Sequence, residues 1–123
     1  MNELFEKVAR IERQIAEAKG PFTLFALFER DNLPTRFELV FAAPWVDDKG
    51  KALREFVAVL KEHLSLEQMI SLSRVIILDP WDEPVRSFTS AFDVEHGRVE
   101  VREENIFGLP IGQGLIITSR RAA

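Results

Sequence analysis

The chain contains no cysteine, no tyrosine, only six glycines and six prolines, and no extended run of positive charge. Without cysteine there is no disulfide, no thiol nucleophile and no thiolate-bound zinc, so nothing points to an oxidising compartment. Lys and Arg number 16 against 20 Asp and Glu, a formal net charge of −4, and only Ser119-Arg120-Arg121 is locally basic. That balance lacks the footprint of a nucleic-acid binder, so no such partner is expected. The apolar runs are too short to span a bilayer. The opening "MNELFEKVARIERQ" interleaves charge with apolar residues, where a signal peptide would set a basic stretch before an apolar one. No membrane partner is expected, and the cytoplasm is the expected location.

What is present is a core. The 123 residues are 46% hydrophobic with ten phenylalanines, enough for a single globular domain over 1–123 to fold without staples. Leu4, Val8, Ile11, Ile15 and Ala18 recur at alternating four- and three-residue steps, which predicts a first helix with an apolar stripe, stopped by Gly20-Pro21. The stripe also fits a short a/d seam, but packing on the domain's own sheet is the expectation. Phe22 to Phe28 are apolar on both alternating sets, which predicts a central strand covered on both sides. After the turn-rich "RDNLPT", Phe37, Leu39, Phe41 and Ala43 alternate again, which predicts an antiparallel hairpin with Pro34 in its loop.

From Asp48 the period turns helical, with Leu53, Phe56, Val57, Leu60 and Leu64 on one face. Ser65-Leu66-Glu67-Gln68 matches a capping box and predicts a second short helix to about residue 72. The consecutive apolar residues Val75 to Leu78 predict a strand buried on both faces, and Val85 to Phe92 suit a short helix. His96-Gly97 is a turn before a half-exposed strand, in which Val99 and Val101 alternate with Arg98, Glu100 and Arg102. "LIIT" at 115–118 is a last, more buried strand; in "IFGLPIGQG" between them Ile106 and Phe107 could prolong the fourth strand, while Pro110 and the three glycines are expected to interrupt any regular ladder. The expected fold class is α+β, in the order αββααβαββ, with a mixed sheet of about five strands packed with helices.

Two stretches share a design: "FELVFAAPWVDD" and "RVIILDPWDEP" each end an apolar strand in Pro-Trp and acids. The helical connection between the two strands is long enough for a crossover, so parallel pairing is expected and both turns fall at one sheet edge. Trp45 and Trp81 could there flank a cleft lined by Asp47, Asp48, Asp79, Asp82 and Glu83, suited to Mg²⁺ or an organic cation. The simpler reading explains the same residues as strand stops, helix caps and rim aromatics, and it is preferred.

Other chemistry is thin. No EF-hand spacing is present, and no metal is assigned. Asp47-Asp48-Lys49 imitates a nuclease triplet with Glu38 or Asp79, but at a strand-to-helix turn. His63 belongs to a helix end, and no ligand spacing makes it a zinc residue. Gly108 to Gly114 lacks the Gly-Lys-Ser/Thr ending of a phosphate loop, and a bulged or wide hairpin connection fits it better. No catalytic residue is nominated. The resulting expectation is a non-enzymatic interaction or regulatory module whose partner is a protein, itself included. The alternative is a Mg²⁺-dependent hydrolase or small-ligand binder at the acidic Pro-Trp turns.

Overall fold

The computed structural model describes residues 2–30, 36–106 and 109–121. Its elements are α1 (Asn2–Lys19), β1 (Leu24–Arg30), β2 (Phe37–Ala42), α2 (Lys49–His63), α3 (Leu66–Ser71), β3 (Leu72–Ile77), α4 (Glu83–Ala91), β4 (Val99–Ile106) and β5 (Leu109–Ser119). This is the αββααβαββ order read from the sequence, and the fold is α+β. The loop holding Pro34, and Phe107-Gly108 between the last strands, lie outside the described residues.

The five strands form one sheet in the order β3-β2-β1-β5-β4. β1 is central, antiparallel to β2 and to β5, as its two apolar faces require. β2 and β3 are parallel, joined by the α2–α3 crossover. Alternation divides the side chains cleanly between the two faces. Phe25, Leu27, Leu39, Phe41, Leu115 and Ile117 meet α1 and α2 on one face, whereas Leu24, Ala26, Phe28, Val40 and Ile116 meet α4 on the other.

The first face holds an aromatic cluster. Phe22 meets Phe25 edge-on at 4.9 Å and Phe41 at 5.4 Å, and Phe56 of α2 lies 4.9 Å from Phe41. Burying each such ring stabilises the fold by about 1.5–3 kcal/mol. The α1 stripe turns inward here, with Leu4, Val8 and Ile11 buried, so it packs on its own sheet. Ser65 and Gln68 form the reciprocal capping box, with Gln68 N–H donating to Ser65 Oγ at 3.1 Å and Ser65 N–H to Gln68 Oε1 at 2.9 Å.

Three expectations are corrected. β3 lies at the edge of the sheet, and Val75 to Leu78, expected to be buried on both faces, are only half-buried, because no strand among the described residues covers its outer side. Its side chains alternate between the two layers, Val75 and Ile77 against one core cluster and Ile76 and Leu78 against the other. Leu53 and Val57 belong to the apolar stripe of α2 but stay partly exposed, since β3 lies at the sheet's border and leaves them little to pack on. Finally, the ladder continues through the glycine-rich segment as β5. Gly112 is an extra residue between the Glu29–Gln113 and Arg30–Ile111 pairs, a bulge, and Pro110 pairs with Asn105 of β4 past the last described residue of β1. Gly114 is required by packing: a Cβ there would lie 2.6 Å from Phe28 Cδ1.

Candidate functional site

The parallel pairing of β2 and β3 puts both Pro-Trp turns at one end of the sheet, with Leu78 N–H donating to Phe41 O at 2.8 Å. From that common end the chain leaves toward opposite faces, into α2 on one and α4 on the other. The acids separate accordingly. Asp47 and Asp48 border a cleft with Ile15, Lys19 and Lys51, and Asp82 borders another on the opposite face with Val40 and Val85. Mg²⁺ needs several converging oxygens. Among the described residues, no group of three or more His, Cys, Asp and Glu could hold a metal ion.

Most of these residues have local work. Asp48 caps α2, its carboxylate accepting from Lys51 N–H at 3.1 Å. Asp79 Oδ1 accepts from Trp81 N–H at 2.8 Å and tightens the second turn. Glu83 lies in the first turn of α4, where an acid favours the helix terminus. Trp45 packs, half-buried, against the core: its Nε1 donates to Gly20 O at 2.9 Å, its ring meets Phe22 at 5.4 Å, and Lys19 lies over it. Asp82 occupies the N-cap position of α4 yet makes no side-chain cap bond, and Trp81 is 55% exposed. The two turns therefore resemble each other in sequence more than in role.

A second feature emerges along β3. Among the described residues, the exposed large apolar side chains are Leu53, Leu66, Ile70 and Trp81. All belong to elements that flank β3: α2, α3 and the turn that follows the strand. Leu53, Val57, Met69, Leu72 and Val75 line a shallow groove of about 330 Å³ between these helices and the strand. Arg74 is the one charged residue in β3, and its guanidinium donates to the buried Glu38 carboxylate at 3.0 Å. The strand edge thus joins backbone polar groups to an apolar border, the surface that strand addition uses.

The sequence reading missed one polar cluster. Glu12 is fully buried on α1, where its Oε1 accepts from His96 Nδ1–H at 2.7 Å and its Oε2 from Thr118 Oγ1–H at 2.9 Å. Thr118 in turn accepts from His96 N–H at 3.1 Å. His96 holds a left-handed φ of 49°, and Glu95 beside it pairs with Arg120 at 2.8 Å. A carboxyl group buried this deeply is tolerated only when it is hydrogen-bonded. The cluster ties α1 to β5 and to the turn before β4. An acid inside the apolar stripe of α1, one residue after Ile11, was the available signal. His63 lies in the last turn of α2, as expected.

Compared with known proteins, the chain matches no family model, no curated protein and no solved structure. No helix among the described residues is long and apolar enough to cross a membrane.

Proposed function

We propose that this protein is a non-enzymatic interaction module whose partner is a second copy of itself, joined along β3. The observation that carries the reading is that the exposed large apolar side chains among the described residues, Leu53, Leu66, Ile70 and Trp81, lie on α2 and on the segments that enter and leave one edge strand. A partner for that edge must supply an extended strand with an open side and an apolar border, and this chain has both. Antiparallel pairing of β3 with its copy about a two-fold axis meets each need reciprocally, as isologous dimers do. Charge does not oppose the approach, because Arg74 is compensated within its own chain by Glu38. The α2 flank also carries both signs, in Lys61 and Glu62.

Light scattering after size-exclusion chromatography tests this. The chain should run at twice its 14.1 kDa mass. The double variant Leu66→Glu and Ile70→Glu, at exposed positions, should fold and run at the mass of one chain. A wild-type chain that stays single at high concentration overturns the reading. So does a doubled mass that the variant leaves unchanged.

A further inference from the structure

Which residues of β3 can face a second copy is set by the direction of its backbone groups. Leu78 N–H donates to Phe41 O across the parallel pair, so strand alternation turns the backbone groups of Ile76 toward β2 as well and those of Val75 and Ile77 to the open side. To either side of this stretch the regular strand ends. Ser73 is the extra residue between the Phe37–Leu72 and Glu38–Arg74 pairs, its Oγ donating to Phe37 O at 3.2 Å. Asp79 O accepts from Asp82 N–H at 3.2 Å inside the turn that follows.

An antiparallel copy can be centred on Val75, Ile76 or Ile77. Centred on Val75 it sets Ile77 against the irregular Ser73, and centred on Ile77 it sets Val75 against Asp79, whose carbonyl is already used in its turn. Centred on Ile76 it sets Val75 of each chain against Ile77 of the other. The outward N–H and C=O groups then satisfy one another, and no irregular segment is drawn in.

The side chains favour the same arrangement. Arg74, with a side chain 56% exposed, lies near the start of β3, whereas Asp79 and Asp82 lie just past its end, so antiparallel pairing brings the base of one chain toward the acids of the other. Ile70 and Trp81, 58% and 55% exposed, also lie on opposite sides of the strand, one before it and one after. Each is thereby carried toward the other's copy. A parallel copy would set like against like at both ends.

We infer that the self-association proposed above is centred on Ile76, a register that rests on that reading: Ile76 lies opposite its own copy, Val75 opposite Ile77, and Trp81 of one chain packs against Ile70 of the other. The two sheets then continue as one, with the β3 strands at its middle.

The chain has no cysteine, so a single introduced thiol can pair only with its copy. Residues directly opposite at a pair without mutual hydrogen bonds have Cα atoms about 4.5 Å apart, within disulfide reach. Ile76→Cys should therefore oxidise to a product of twice the mass on a non-reducing gel. Val75→Cys and Ile77→Cys, each displaced about 7 Å along the strand from its own copy, should stay at the mass of one chain. Should Ile76→Cys not fold, the exposed positions carry the test: a short bismaleimide should join Ile70→Cys chains to Trp81→Cys chains in a mixture and join neither to its own kind. Light scattering on the wild-type chain separates the two levels. A single-chain mass overturns the association and the register with it. A doubled mass overturns the register alone if folded Ile76→Cys forms no disulfide, if Val75→Cys or Ile77→Cys links as readily, or if Ile70→Cys and Trp81→Cys chains are not joined.

Discussion

The two edges of the sheet are built on opposite plans. β4 carries Glu100 and Arg102 at alternate positions, and Arg98 just before the strand and Arg102 within it reach Glu100 at 3.5 and 4.0 Å, Arg98 also lying over the Phe5 ring. An edge so charged repels another strand. β3 carries one charge, compensated by Glu38, and its neighbours expose Leu53, Leu66 and Ile70. On the proposed reading the first edge is closed to pairing and the second is open to it, so a strand's border position alone would not define a docking surface. What defines it is whether charge or apolar surface lines the open backbone.

The largest expected effect breaks the closed side. Glu12→Ala removes the acceptor that holds the turn before β4 to α1, leaving His96 and Thr118 with lost partners in a buried setting. A loss of about 3 kcal/mol is expected in urea unfolding, the scale of breaking a buried pair from one side. Glu12→Gln, which keeps an acceptor, should lose less. A loss below about 1 kcal/mol, typical of a surface change, would reduce the cluster to an incidental contact.

A smaller effect separates the two Pro-Trp turns at the end of the sheet. Asp48→Ala should cost about 1 kcal/mol, because its carboxylate caps α2. Asp82→Ala should shift the urea midpoint far less, because its side chain makes no cap bond. Equal midpoint shifts would mean that the turns are alike after all.

The smallest effect on stability, within about 0.5 kcal/mol, is expected for the pair Glu100→Val and Arg102→Val at exposed positions of β4. Its consequence should appear in assembly. With the charges gone, β4 should resemble β3, and light scattering should report species larger than wild type at equal concentration. If none appear, edge charge is not what closes β4.

Reading along the chain recovered the element order, because periodicity and caps are local. The Ser65–Gln68 box starts α3, and the double alternation of Phe22 to Phe28 makes β1 central. It recovered less of the candidate site. Val75 to Leu78 read as a strand buried on both faces, yet at the sheet's edge they are only half-buried, and nothing local announces an edge position. "APWVDD" and "DPWDEP" read as a matched pair, yet one tryptophan packs half-buried against the core with a bond to Gly20 and the other faces solvent. That difference follows from which face the next helix covers.

By itself the sequence determined the class of the fold, the residues that share a face and the places where helices begin, since these rest on side-chain spacing and bonds within a turn. The tertiary structure decided which strand lies at the border, how the acids divide between two faces, and that Glu12 meets His96, 84 residues away. Those are contacts between distant segments, and the energy that selects them appears only when the two apolar faces of the sheet are covered together.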